Sequence, residues 1–115
     1  MTTRAVLIDP VARTVTNIEF DGNWSSLMVL MQLPPLARLD VDVETPVRNW
    51  ATGDTIYVHA RGNGLDRWVF SPNGDEALGG RGVITGRRDA GGKFAAAVVP
   101  LERVQGQVTW RRRDA

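Results

Sequence analysis

Twice between residues 37 and 61 the chain alternates apolar and polar side chains with a period of two, and it holds no clearer pattern. In the stretch LARLDVDVE, Leu39, Val41 and Val43 fall on one side, and Arg38, Asp40, Asp42 and Glu44 on the other. Thr55 to Arg61, reading TIYVHAR, repeats the alternation. Successive side chains on a pleated backbone point to opposite sides, so this period predicts strands with one buried face. It also predicts that one face of the resulting sheet stays open to solvent or to a partner.

The rest of the chain fits the same architecture. Residues 4–9 (RAVLID) form a short apolar run, and Asp9-Pro10 supplies turn chemistry before a second run, TVTNIEF, at 14–20. Val15 is out of phase with Ile18 and Phe20, which predicts an irregularity near Asn17. Asp21 or Asn23 can cap a helix that runs to about Gln32, with Trp24, Leu27, Met28 and Met31 on its buried face. Pro34-Pro35 ends it. Further strands are expected at 66–70, 83–85, 94–99 and 107–111, a helical turn at 100–104, and a frayed tail at 112–115. The predicted fold is α+β: a single domain over 1–115, mainly an antiparallel twisted sheet of about seven strands with one principal helix packed on it.

Composition narrows the functions open to such a fold. With 115 residues and no cysteine, the chain can bury roughly 65% of its unfolded surface without staples. Disulfides, thiolate nucleophiles and cysteine-ligated zinc are excluded. The apolar run at the N-terminus is too short for an anchor, so no membrane association and a cytoplasmic location in a host cell are expected. The net charge of +1 conceals an asymmetry: residues 1–80 carry a balance of −4 and residues 81–115 a balance of +5. If the last strands lie together, they form one basic patch.

The stretch GGRGVITGRRDAGG, residues 79–92, tests for a phosphate loop and fails. After Gly80-x-Gly82 the third glycine, Gly86, comes one residue too late for a dinucleotide fingerprint, and a β-rich run follows where a helix is required. Gly86 and Gly91 have the spacing of a Walker loop, but Gly92 stands in the lysine position. The pattern predicts a hairpin instead. Gly79, Gly80 and Gly82 would admit positive φ at a turn or bulge, Gly86 a second bulge, and Gly91-Gly92 the tip. Arg81, Arg87, Arg88 and Lys93 would flank it, a surface suited to an anion or an acidic partner.

Other residues offer weaker chemistry. Asp40, Asp42 and Glu44 share a strand face and have the donor type for a hard cation or an acid–base pair, though such a row is ordinarily just the wet side of a strand. His59 would lie on the same face, without a nucleophile that the sequence identifies. No metal and no cofactor is expected. Trp24 and Trp68 read as core. Trp50, beside Arg48, suits an interface anchor or a lid on the core. Trp110 with Arg111 and Arg112 suits either packing under the helix or stacking on a base while holding phosphate.

Two stretches carry a resemblance. AVLIDP at 5–10 with the following RTVT and IE, and ALGGRGVITG at 77–86, resemble a family of small uncharacterised proteins of phages, prophages and plasmids. These have an I-D-P hairpin, a following helix and a late L-x-G-x-G strand. The resemblance implies a mobile-element origin and an accessory role, and it carries no catalytic residues.

The leading expectation is therefore a non-enzymatic binding protein of a mobile genetic element that acts on a host protein. An anti-CRISPR-like inhibitor of a bacterial defence complex is one form of that role. Arg81, Arg87, Arg88 and Trp50 are its expected contact residues. The alternative is a nucleic-acid or nucleotide-binding module using Lys93, Trp110, Arg111 and Arg112 in the basic C-terminal third. A small hydrolase built on the acidic strand and His59 is a third reading. An uncovered sheet edge also allows a homodimer.

Overall fold

In the computed structural model, which describes residues 2–30, 43–46, 54–58, 68–71 and 81–112, Asp9 sets the first hairpin. Its Oδ1 accepts the N–H groups of Val11 at 3.0 Å and Ala12 at 3.4 Å, the local bond that makes aspartate a turn residue. Strands β1 (Thr3–Asp9) and β2 (Thr14–Phe20) then pair without interruption, from Asp9 opposite Thr14 to Thr3 opposite Phe20. The irregularity expected at Asn17 is absent, since Asn17 sits in register with Val6. Val15 and Ile18 are out of phase for another reason: they face opposite sides of the sheet, and both sides carry a core.

The main sheet has the order β2-β1-β6-β4-β3, where β3 is Val43–Pro46, β4 is Thr55–Val58 and β6 is Gly82–Thr85. Every pairing in it is antiparallel. On one face, Val6, Ile8, Val15, Ile56 and Ile84 form a cluster with residues of α2 (Leu101–Gln107) and of a separate ribbon, β5 (Trp68–Ser71) paired with β7 (Thr109–Arg112). On the other face, Ala5, Phe20, Tyr57 and Val83 pack with Leu27, Trp24 and Leu30 of α1 (Trp24–Leu30). Neither face is open at β4, where the adjacent Ile56 and Tyr57 are both buried. The expected exposed face is thus corrected at β4, where the alternating polar position 57 is a tyrosine whose ring stacks edge-on against Trp24 and Phe94; the remaining alternating positions of 37–61 lie outside the described side chains.

The seven strands among the described residues are also not one sheet. They divide into five and two, and a glycine shows why the ribbon can lie over the sheet. Gly82 stands opposite Ile8 at the centre of the main sheet. A Cβ there would come within 2.7 Å of the Phe70 ring and 3.1 Å of Ile56 Cδ1. The missing side chain lets Phe70 of β5 sink fully into the core. Gly82 is therefore a site of close approach and not of positive φ. In the 79–92 stretch, positive φ is found at Gly92, at the hairpin tip.

Among the described residues, two helices cover the sheet where one principal helix was expected. At the start of α1, the Asn23 carbonyl accepts the Leu27 N–H at 3.1 Å, and Asp21 Oδ1 accepts the Asn23 N–H at 2.9 Å. Trp24 and Leu27 lie on its packed face as expected. The Met28 side chain and Met31 fall outside the described residues. α2 is longer than the single turn expected, because its bonds continue past Val104 to the N–H of Val108 at 2.9 Å. Arg112 is no frayed tail: it ends β7, opposite Trp68.

The apolar run Phe94–Val99 is extended but is not a ladder strand, and forms one isolated bridge, Arg88 with Phe94. Single backbone bonds hold its first half: Phe94 N–H to the Gly22 carbonyl, Ala95 N–H to Arg87, and Ala97 N–H to Arg4, each at 2.9 Å. Charged side chains hold the second. Arg4 donates to the carbonyls of Ala97 at 2.8 Å and Val99 at 2.7 Å. Asp54, only 2% exposed, accepts the N–H of Val98 at 3.1 Å and of Val99 at 2.7 Å.

Candidate functional site

Among the described residues, the basic side chains of the last third do not gather in one patch. Strand β6 runs through the middle of the main sheet, whereas β7 belongs to the ribbon over one face. The condition for a single patch therefore fails: Arg87, Arg88 and Lys93 sit at a hairpin tip, Arg111 and Arg112 on the ribbon, Arg103 on α2, and Arg81 at the far end of β6.

The tip is built from residues 86–95. Gly86 N–H donates to Ala95 at 3.0 Å, Asp89 N–H to Lys93 at 2.7 Å, and Gly92 N–H to Asp89 at 3.0 Å. Gly92 turns with φ of 85°. Asp89 Oδ1 also accepts the Lys93 N–H at 2.9 Å, so this carboxylate is committed to the turn. Arg88 is held from two sides. Its Nε donates to the Gly92 carbonyl at 3.2 Å, and its guanidinium lies 5.2 Å from the Trp24 ring and 5.4 Å from Phe94. Those rings are stacked with centroids 5.9 Å apart, so the cation rests on an aromatic floor. Arg87 is exposed, and its side chain makes no hydrogen bond or ion pair among the described residues. Lys93 is exposed beside them.

Asp21 lies close to this tip. Its carboxyl is held below the usual carboxylate value, first by the Asn23 N–H, then by the Ser26 side chain, with the Lys93 charge contributing less.

Arg81 is not part of the tip. It stands at the other end of β6, six residues from Arg87 in sequence, a separation on the order of 20 Å along extended backbone. Its guanidinium pairs with Asp9 at 3.2 Å and donates to the Leu30 carbonyl at 3.4 Å. Arg81 thus ties the first hairpin to the end of α1. Trp50 lies outside the described residues, as do Asp40, Asp42 and His59, and of Glu44 only the backbone is placed, opposite Tyr57. Among the described residues, no three metal-ligating side chains gather in one place.

On the ribbon side, Arg111 and Arg112 are exposed, and Trp110 is half-buried against the core. Its ring meets Phe70 edge-on at 6.4 Å. The packing role and the open role are therefore not exclusive, because Trp110 also lines a groove of about 330 Å³ with Arg13, Thr14, Val15, Thr16 and Gln105. Sequence reasoning missed this groove and the Arg4–Asp54 clamp. Both join residues some 40 to 95 positions apart, and no local period signals such a meeting.

None of the described residues forms a helix long and apolar enough to cross a membrane. No family model, curated protein or solved structure matches this chain.

Proposed function

We propose that the chain is a non-enzymatic binding protein of a mobile genetic element, and that it engages an acidic surface of a host protein through the 86–95 hairpin tip. The observation that carries this reading is the pair Arg87 and Arg88. One is exposed and uncommitted among the described residues, and the other is fixed on the Trp24 and Phe94 rings. A guanidinium already immobilised loses less freedom on binding a carboxylate, which favours affinity at such a position. The committed Asp89 supports the reading too, since its charge is engaged by the Lys93 N–H within the turn. Inhibition of a bacterial defence complex, in the host cytoplasm, is the specific role in keeping with the phage-like motifs at 5–10 and 77–86.

The test is a tagged pull-down from nuclease-treated bacterial lysate, read by mass spectrometry, with two charge-reversed variants beside the parent. A stoichiometric protein should be captured by the parent and by Arg111→Glu/Arg112→Glu, and lost from Arg87→Glu/Arg88→Glu. Retention in the latter variant removes the tip from the interface. Loss only from the ribbon variant, together with oligonucleotide binding that weakens steeply with salt, would favour nucleic acid.

A further inference from the structure

We infer that the outer edge of β2 is a self-association surface. A second copy of this chain pairs its own β2 antiparallel to it about Ile18, joining the two main sheets into one. The pairing uses no side chain of the hairpin tip, so it stands or falls independently of the proposed function.

Strand β2 ends the main sheet on one side, and the phase of its ladder with β1 determines which backbone groups it leaves over. Gln105 Nε2 donates to the Val15 carbonyl at 2.9 Å from α2, outside the sheet. On the far side of β1, Ala97 donates to the Arg4 carbonyl, and Arg4 stands opposite Glu19. In an antiparallel strand the N–H and C=O of one residue point the same way. The even-numbered residues of β2 therefore bond to β1, and the odd-numbered ones face outward. Asn17 and Glu19 present two donors and two acceptors there, none of them bonded among the described residues. Such a row is a template for another strand. It is short, closed at one end by Gln105 on Val15 and at the other by the turn in which Asp21 Oδ1 accepts the Asn23 N–H.

Pairing β2 with itself about Ile18 uses all four groups. Asn17 then lies opposite Glu19 of the second copy on both sides of a two-fold axis, the isologous arrangement of most dimers. Each of those pairs exchanges two N–H···O bonds. Centring on Asn17 instead would call on the Val15 carbonyl, which Gln105 already occupies. Centring on Glu19 would set two carboxylates opposite each other, a destabilising pair.

The side chains agree with the backbone. Glu19 is exposed and makes no hydrogen bond or ion pair through its carboxylate among the described residues. Asn17 is exposed too, and its Oδ1 accepts from Arg4 Nε at 2.9 Å, which leaves its Nδ2 as a donor. Arg4 donates only to the neutral oxygens of Asn17, Ala97 and Val99, so no carboxylate of the described residues pairs with this cation. In the dimer each Glu19 carboxylate meets an amide polarised by Arg4, and bonds of that charge-assisted kind are the strong ones. On the other face, the half-buried Ile18 meets its counterpart in a non-hydrogen-bonded pair, where side chains stand closest.

A contact this small associates weakly, so sedimentation would be followed from about 10 µM to about 1 mM. The parent should pass from monomer to dimer across that range. Glu19→Pro removes an N–H that faces away from β1, the position at which an edge strand accepts proline. That variant should stay monomeric while its β1–β2 amides keep their protection. The register has its own test, because the chain holds no cysteine and one introduced thiol can pair only between copies. Two Ile18 positions would stand about 4.5 Å apart, within reach of a disulfide, and two Thr16 positions about 13 Å apart along the strands. Ile18→Cys should form the linked dimer at least about tenfold faster than Thr16→Cys under mild oxidation, although Thr16 is the more exposed. This comparison decides the matter even where the proline variant fails to fold. Equal rates, or a dimer that persists in folded Glu19→Pro, overturns the assignment. So does a parent that stays monomeric to about 1 mM, including where the edge accepts a strand of a different protein.

Discussion

The β1–β2 hairpin and the segment Phe94–Val99 are both extended, both apolar in part, and joined to each other by the bond from Ala97 to Arg4. They are held in different ways. The hairpin is stitched by seven consecutive residue pairs, so no single side chain decides its position. The segment has one bridge and a few single bonds, and its second half hangs on the guanidinium of Arg4 and the carboxylate of Asp54. Extended structure can thus rest on main-chain repetition or on two charges that replace a missing strand. In the second case, one substitution should release what in the first would take many.

Asp54→Ala is the strongest way to test that difference. It leaves two N–H groups, those of Val98 and Val99, without the buried carboxylate that accepts them. Bonds to a charged group contribute about 1.5–3 kcal/mol each, so a loss of about 3–5 kcal/mol is expected in chemical denaturation. Hydrogen exchange at the two amides should quicken together, while the β1–β2 ladder keeps its protection. Asp54→Asn, which retains one acceptor, should lose less. A loss below about 1 kcal/mol for the alanine variant would show that surface substitution rules apply here, and that the segment does not depend on Asp54.

Arg4 sharpens the comparison because it belongs to both regions. Its Nε donates to Asn17 across the hairpin at 2.9 Å, and its two terminal nitrogens donate to the segment. Arg4→Met keeps an apolar stem and should cost about 2 kcal/mol, most of it from the segment. Asn17→Ala, which removes only the exposed hairpin bond, should stay within about 0.5 kcal/mol of the parent. Combined with Asp54→Ala, Arg4→Met should add less than its separate effect, since both act on residues 97–99; a coupling of about 0.5–3 kcal/mol is the range for such neighbours. Strict additivity would mean the two charges support separate structures.

The same contrast explains what could be read from the sequence. The hairpin was legible because Asp9-Pro10 announces its turn and both flanking runs are β-rich. The tip was legible through Gly91-Gly92, and the divided core was half visible as the phase break between Val15 and Ile18. Period analysis assumes one buried face, so the same break predicts a bulge instead. Gly82 and Gly86 suggest turns and bulges in sequence, but both are places where something else comes near: the Phe70 ring at one, the Ala96 carbonyl at the other. A glycine shows that a side chain is missing without showing what fills its space. Nothing local marks Asp54, since only its distant partners Val98 and Val99 make it a structural carboxylate. The candidate site was legible in the same partial way. Arg87, Arg88 and Lys93 at the tip followed from local sequence, whereas Arg81 was drawn off to Asp9, 72 positions away.

The smallest effect concerns the near end of the segment, where Phe94 donates to the Gly22 carbonyl. Gly22 lies inside the turn that Asp21 forms by accepting the Asn23 N–H, so the charge of Asp21 bears on the segment through one intermediate residue. Its pKa is lowered from the ordinary 3.8, chiefly by that N–H. A carboxyl with a depressed folded pKa contributes stability in full above its unfolded value and loses it as pH falls through the folded one. Between pH 7 and about 5 the contribution should be constant, and below 3.8 it should decline. Comparison with Asp21→Ala isolates the effect, because the remaining carboxyls titrate in both proteins. The parent should have the higher Tm at pH 6, and the gap should narrow below about pH 4. In the parent, the Phe94 amide shift should follow the Asp21 titration. A gap independent of pH would mean that the turn keeps its geometry without the charge, and that the segment's near end is held by backbone alone, as the hairpin is.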